Sequence, residues 1–216
     1  MKKYDVILFD LDGTLTDSSP GIMNSIVYAL KKYNISVKNT DDLRIFLGPP
    51  LHESFRDFYS FDDEKSMEAV GFYREYFSTK GLLENEVYSG IREMLEDLKE
   101  HGKKLILATS KPQPFTDRIM EHFDLAKYFE FIAGSNMDGT RSKKAEVIAY
   151  ALESCNITDK FNVVMVGDRE HDIIGAKTVG IDSVGVEYGY GDYDELSDAG
   201  ATYIVKTVEE LKGLLI

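Results

Sequence analysis

Asp10 and Asp12 stand one residue apart where the apolar stretch Tyr4-Asp5-Val6-Ile7-Leu8-Phe9 runs out, and Gly13-Thr14 follows them. The stretch reads as a buried strand, so both acids fall at its carboxyl end, where open α/β sheets bind their ligands. Charges at such an end must be paired or bound to metal. Gly13 lets the backbone turn sharply or approach a ligand closely. Two more strands end in polar groups: Lys104 to Ala108 in Thr109-Ser110-Lys111, and Asn162 to Val166 in Gly167-Asp168-Arg169-Glu170-His171-Asp172. Between them Ser142-Lys143-Lys144 opens a helical run with apolar residues at Val147, Ile148, Ala151 and Leu152. In a parallel sheet these ends converge on one edge, which then holds Asp10, Asp12, Thr109, Asp168, Asp172 and one lysine. That set suits a hard divalent cation together with a phosphate. Neighbouring helical side chains diverge by about 100°, so only one of Lys143 and Lys144 points inward.

The elements that must position these groups alternate from residue 87 onward. A helix is expected over Ile91 to His101, stopped by Gly102, then the strand to Ala108 and a helix from about Pro112 to Phe123. A short strand Phe129 to Ala133, the lysine helix, the strand to Val166 and a helix Glu170 to Val179 follow. Strands near Ser183 to Val186 and Thr202 to Val205, and a helix Val208 to Leu215, end the chain. This alternation predicts an α/β fold with a doubly wound, Rossmann-like parallel sheet. Residues 16–86 break the pattern with helical runs only, interrupted by Gly48-Pro49-Pro50. The expected division is therefore a core of residues 1–15 and 87–216 with a helical insert, residues 16–86.

Composition narrows the function classes. The 216 residues are 43% hydrophobic and 29% charged, as in an ordinary globular protein. No apolar run is as long as a membrane span, and Met1-Lys2-Lys3 leads into a strand and not a signal sequence. The lone Cys155 excludes an intramolecular disulfide and fits a reducing, cytoplasmic setting. A net charge of −13 argues against nucleic acid or an anionic membrane as partner. An anionic substrate then requires a cation and a lysine to reverse the field locally. The four histidines have no zinc-ligand spacing.

The ordered set Asp10-Leu11-Asp12-Gly13-Thr14, Thr109, Lys144 and Gly167-Asp168 with Asp172 resembles the four motifs of the haloacid dehalogenase superfamily, and the match runs through the whole chain. Leu47-Gly48-Pro49-Pro50-Leu51 is similar to a Gly-x-Pro-Leu stretch of phosphoglycolate phosphatase-like members. Two departures are the Ser110 where many members have Asn, and Ala145 where many have Pro after the motif lysine. The resemblance implies a Mg²⁺-dependent phosphomonoesterase acting on a small phosphorylated metabolite through an aspartyl-phosphate. It makes residues 16–86 a cap subdomain, Asp10 the nucleophile, and Asp12 the general acid and then base. Asp10, Leu11, Asp12, Thr109, Ser110 and Lys144 would hold the phosphate. Asp10, the carbonyl of Asp12 and Asp168 would hold the metal, with Asp172 behind them. Of the lysine pair it favours Lys144. In the cap, Arg44, His52, Arg56, Tyr59 and Arg74 are the residues to weigh as contacts to the leaving group, each otherwise a solvated or structural side chain.

Phosphoglycolate-like acids and nucleotide 5′-monophosphates lead as substrates, with a monomer or homodimer as the working form. A sugar-phosphate mutase resembling β-phosphoglucomutase shares all four motifs and is the alternative. A metal-free dehalogenase has no counterpart of Asp12. A phospho-accepting signalling module, the rival from another class, has no helical insert after its first strand.

Overall fold

The computed structural model describes residues 3–216, so Met1 and Lys2 of the expected start lie outside the described residues. By backbone contacts the chain divides into two compact units, residues 1–17 with 87–216, and residues 18–86.

In the first unit, Val6–Phe9 forms β1 and Thr16–Asp17 the short β2. After the three helices of the second unit the chain returns through β3 (Glu86–Val87), α4 (Ile91–Glu100), β4 (Lys104–Pro112), α5 (Gln113–His122) and β5 (Phe131–Ser135). It continues through α6 (Lys144–Ser154), β6 (Val163–Gly167), α7 (Glu170–Val179), β7 (Asp182–Val186), α8 (Tyr193–Ala199), β8 (Tyr203–Val205) and α9 (Val208–Leu215). Six strands make one sheet in the order β5-β4-β1-β6-β7-β8, all parallel.

That order has a direct consequence for the site. From β1 the chain moves outward to β4 and β5, then crosses back to β6 on the other side of β1. Right-handed crossovers therefore put α4 and α5 on one face and α6 and α7 on the other. Loops leave β1's two neighbours in opposite directions, and a crevice opens at the strand ends between them. Phe9 is level with Leu107 and with Val166, so Asp10, Ala108 and Gly167 stand at one height.

Strand alternation sends Leu8, Ile106, Ala108, Val163 and Met165 toward α6 and α7, where they pack on Val147, Ile148, Ala151, Leu152 and Ala176. Each such fully buried Leu, Ile or Val side chain stabilises the fold by about 1.5–3 kcal/mol relative to exposure. The apolar face of α4 is Ile91, Met94, Leu95 and Leu98, all fully buried.

Several details differ from the sequence reading. β4 runs on to Pro112, through Thr109, Ser110 and Lys111, with a register irregularity between Ala108 and Pro112. β5 starts and ends two residues later than the apolar pattern suggests. The helix α8 was not expected; Asp192 starts it by accepting the Glu195 N–H at 2.9 Å.

The second unit holds α1 (Ser19–Lys31), a 3₁₀ segment Thr40–Phe46, α2 (Leu51–Tyr59) and α3 (Asp63–Phe77). Aromatic rings dominate its interior: Phe46 and Phe55 meet at 5.2 Å between centroids, and Tyr33 and Phe61 at 4.9 Å. Asp62 caps α3 by accepting the Lys65 N–H at 2.9 Å. Among the described residues no helix is long and apolar enough to cross a membrane.

Candidate active site

After β1 the chain reverses within a few residues. The Leu11 carbonyl accepts the N–H groups of Leu15 and Thr16 at 2.9 and 3.0 Å, and the Gly13 N–H binds Thr16 O at 2.8 Å. Leu11 itself is buried, so its side chain anchors the turn while Asp10 and Asp12 flank it. Gly13 has φ +80°, and a Cβ there would run into the Asp168 carboxylate. A side chain at Gly167 would likewise collide with Asp172, and one at Gly189 with Asp168. Missing side chains thus make the room in which the acids gather.

Lys144 opens α6 and is buried, whereas Lys143 is exposed. The Lys144 ammonium lies 2.7 Å from Asp10 Oδ1 and 2.8 Å from Asp172 Oδ1, and donates to Ala108 O at 3.1 Å. Two ion pairs and one hydrogen bond thus hold the ammonium in place. Burial works against the charge, but Asp10 and Asp172 outweigh it and hold the ammonium well above the usual lysine range. For Asp10, burial pushes the carboxyl up and the neighbouring Asp172 adds to this, while Lys144 opposes both.

Asp168 directly follows β6 and has no exposure at all. The Thr14 hydroxyl donates to its Oδ1 at 3.2 Å and the Tyr190 backbone N–H to its Oδ2 at 2.9 Å. Burial, then the charges of Asp172 and Asp10, raise its carboxyl well above the ordinary range. Asp172 accepts the Arg169 N–H at 3.2 Å, which ties α7 to the strand end.

Oxygens of Asp10, Asp168 and Asp172 lie within 4.8 Å of one another. Three carboxylates against the single ammonium of Lys144 leave an excess of two negative charges in a buried space. A divalent cation matches that excess in charge, and oxygen donors suit Mg²⁺ in type. The residues present fit the ion.

Thr109 is buried, and its Oγ1 accepts the Lys111 N–H at 3.2 Å. Ser110, the next residue on β4, is exposed, and its carbonyl accepts the Ser135 hydroxyl at 2.8 Å. The Asp12 side chain stands apart from the three clustered acids and pairs instead with Lys111, at 2.7 Å. His171 is exposed at the start of α7. Arg44, His52, Arg56, Tyr59 and Arg74 belong to the other unit; His52 there faces Asp63 at 3.5 Å and Arg56 pairs with Asp57 at 2.9 Å.

Sequence reasoning missed Lys111, Thr14 and the Gly189-Tyr190-Gly191 backbone. Lys111 carried a signal, two residues past Thr109 on a strand and hence on the same side. The closely spaced glycines of the segment were the only hint that it comes near an acid.

A parallel sheet with buried carboxylates and one shared lysine at its switch point is the architecture of an α/β enzyme. Residues 7–186 match the haloacid dehalogenase-like hydrolase family, and the chain belongs to it. A 5′-nucleotidase of Pseudomonas aeruginosa is 42% identical over 213 residues, spanning 99% of this chain and 96% of the relative. The tyrosine-protein kinase PtkA of Mycobacterium tuberculosis is 40% identical, spanning 97% of this chain and 72% of the relative. Among solved structures, one described as a predicted phosphatase from Clostridium acetobutylicum superposes with a TM-score of 0.92 at 50% identity, covering 99% of this chain and 98% of that one.

Proposed function

We propose that this phosphatase of the haloacid dehalogenase-like family hydrolyses small phosphomonoesters in the cytoplasm, with Mg²⁺, through a phosphorylated Asp10. The observation that carries the reading is the shared Lys144 between Asp10 and Asp172, beside Asp168, which leaves two buried negative charges for a divalent cation.

Asp10, Asp168 and the Asp12 carbonyl would hold Mg²⁺, which when bound neutralises charge on the phosphoryl oxygens and fixes their orientation. Asp10 attacks phosphorus with one carboxylate oxygen, forming an acyl phosphate as the bond to the leaving oxygen breaks. Asp12 gives its proton to that oxygen, so the alcohol departs neutral. Water then attacks phosphorus, Asp12 takes back a proton, and the bond to Asp10 breaks to release phosphate. Lys144 steadies the charge on Asp10 in both steps, while Thr109 and the backbone N–H groups of Leu11 and Ser110 bind phosphoryl oxygens. Asp172 orients Lys144.

Nucleoside 5′-monophosphates are the leading substrate class, supported by the 42% identity to the P. aeruginosa 5′-nucleotidase. Phosphoglycolate-like acids come second, supported by a Colwellia psychrerythraea phosphoglycolate phosphatase at 27% identity. The helical unit, residues 18–86, selects among them as a cap. The similarity to PtkA favours a second reading, phosphoryl transfer to tyrosine, which labelled ATP with a tyrosine peptide tests directly.

Steady release of phosphate from a panel of monoesters with Mg²⁺ tests the main reading. Asp10→Asn should abolish turnover with the circular dichroism spectrum unchanged. Retained turnover in a verified, non-deamidated sample would remove Asp10 as the nucleophile.

A further inference from the structure

Between β7 and α8 the chain forms a strap, Tyr188-Gly189-Tyr190-Gly191, and each of its residues meets either the turn after β1 or Asp168. The Tyr188 hydroxyl donates to Thr14 O at 3.0 Å. The Tyr190 N–H donates to Asp168 Oδ2 at 2.9 Å, and the Tyr190 hydroxyl to Asp17 Oδ1 at 3.1 Å. A Cβ on Gly189 would overlap Asp168 and the Gly13 carbonyl, and one on Gly191 the Asp168 carbonyl. None of these contacts has a task in the proposed reaction.

The strap thus joins two segments that the proposed metal site brings together, the turn carrying the Asp12 carbonyl and the end of β6 carrying Asp168. Beyond Gly191 the chain is tied to the Asp168 side, because Glu195 Oε1 accepts the Arg169 Nε–H at 2.7 Å and the Glu170 N–H at 2.8 Å. Glycine at 189 and 191 is what so close an approach requires, but it also leaves the backbone on either side of Tyr190 free to turn. Backbone stiffness therefore does not keep the Tyr190 N–H on the carboxylate. Within Gly189-Tyr190-Gly191 the tyrosine carries the only side chain, and its hydroxyl is anchored on Asp17.

We infer that Tyr190 is a positioning residue for the metal site: its hydroxyl, held by Asp17, fixes its own N–H against Asp168 and so orients that carboxylate before a divalent cation binds. The Thr14 hydroxyl on Oδ1, at 3.2 Å, and the Tyr190 N–H on Oδ2 together set the plane of the carboxylate. Each oxygen keeps a further lone pair for the ion. A ligand already held in place loses less freedom on binding and binds more tightly. The inference rests on the reading of Asp168 as a ligand to Mg²⁺.

Metal affinity without substrate tests it. Mn²⁺ takes the same oxygen donors as Mg²⁺, and its binding is followed by loss of the free-ion electron paramagnetic resonance signal, with Mg²⁺ added to compete. Wild type is set against Tyr190→Phe, Asp17→Ala, Asp17→Asn, Asp168→Asn and the double variant Tyr190→Phe/Asp17→Ala, at a temperature where circular dichroism shows each to be folded. Loss of the hydroxyl should raise the Kd by about tenfold or more, as when a group that orients a metal ligand is removed. Asp17→Ala should raise it by the same factor and the double variant no further, since both changes delete one hydrogen bond. Asp17→Asn discards the charge but keeps an oxygen that accepts the hydroxyl, so its Kd should stay close to that of the wild type.

An unchanged Kd in Tyr190→Phe, whatever its Tm, would overturn the inference and leave the hydroxyl a structural group. So would additive losses in the double variant, or an Asp17→Asn loss as large as that of Asp17→Ala, which would make charge and not the hydrogen bond the cause. Failure of the underlying reading looks different. A wild type that binds no Mn²⁺, or an affinity untouched by Asp168→Asn, would remove Asp168 as a ligand.

Discussion

Gly13 and Asp168 occupy one volume: a Cβ on Gly13 would overlap the Asp168 carboxylate, which is already fully buried. Gly13→Ala should therefore do two separable things. Its φ of +80° makes any L side chain strained, by about 1–2 kcal/mol, which lowers Tm by several degrees. It should also displace Asp168 and abolish Mg²⁺-supported turnover. Gly102→Ala is the control, with φ +72° and nothing within 4 Å of the added Cβ. A comparable loss of Tm with full activity is expected there. If both variants lost activity alike, strain and not the carboxylate would be the cause.

Lys144→Ala removes the one ammonium that Asp10 and Asp172 share. Leaving buried charges uncompensated destabilises a fold by about 3–5 kcal/mol, and losing an electrostatic contact to the transition state lowers kcat by about 10²–10³. Lys143 is exposed, so Lys143→Ala should stay within about 0.5 kcal/mol and keep its turnover. Thermal melts and kcat on the two variants decide it; equal losses would show that the inward lysine has been misassigned.

Mg²⁺ should stabilise the fold in a pH-dependent way. Burial raises the carboxyls of Asp10 and Asp168 above their unfolded values, so both bind protons more tightly when folded. In metal-free protein that stabilisation is complete below the unfolded value, about 3.9, and fades as pH rises through the folded values. A cation competes with those protons. At about 100 times its Kd it adds about 2.7 kcal/mol near neutral pH, a rise in Tm of about 5–10 °C. The rise should shrink as the pH is lowered and the carboxyls take up protons. A Mg²⁺-induced shift that does not change with pH would exclude Asp10 and Asp168 as ligands. EDTA should stop turnover and Mg²⁺ restore it, while Ca²⁺, with its looser geometry, should inhibit.

Substrate choice should respond to changes in residues 18–86. In the proposed mechanism the residues of the core would grip only a phosphoryl group, common to every monoester, and so would not sort leaving groups. Leu51 and His52 open α2 after the Gly48-Pro49-Pro50 bend, and Arg44 is exposed just before it. Alanine at each should change kcat/KM among a nucleotide, phosphoglycolate and p-nitrophenyl phosphate unequally. Parallel changes across all three would mean that this segment does not discriminate.

The local pattern of the chain was enough to place a parallel α/β sheet and to collect the polar groups at its strand ends. An apolar strand that terminates in acids, as at Phe9-Asp10 or Val166-Gly167-Asp168, records burial and exposure directly, and those are properties of single segments. Even the contrast between Lys143 and Lys144 follows from helical spacing once a neighbouring apolar face is known. Pairing is another matter. Lys144 is shared by Asp10 and Asp172, Lys111 turns to Asp12, and Asp168 is left to a hydroxyl and a backbone N–H. Each partnership depends on distances of a few ångströms between segments far apart in the chain, set by strand order and register. The continuation of β4 through Thr109 and Lys111 is of the same kind, because the strand there loses its regular register with β5 after Ala108 and regains it only at Pro112, opposite Ser135. Charge and hydrogen-bond partners are chosen by tertiary distance, which a one-dimensional pattern of residue types does not contain.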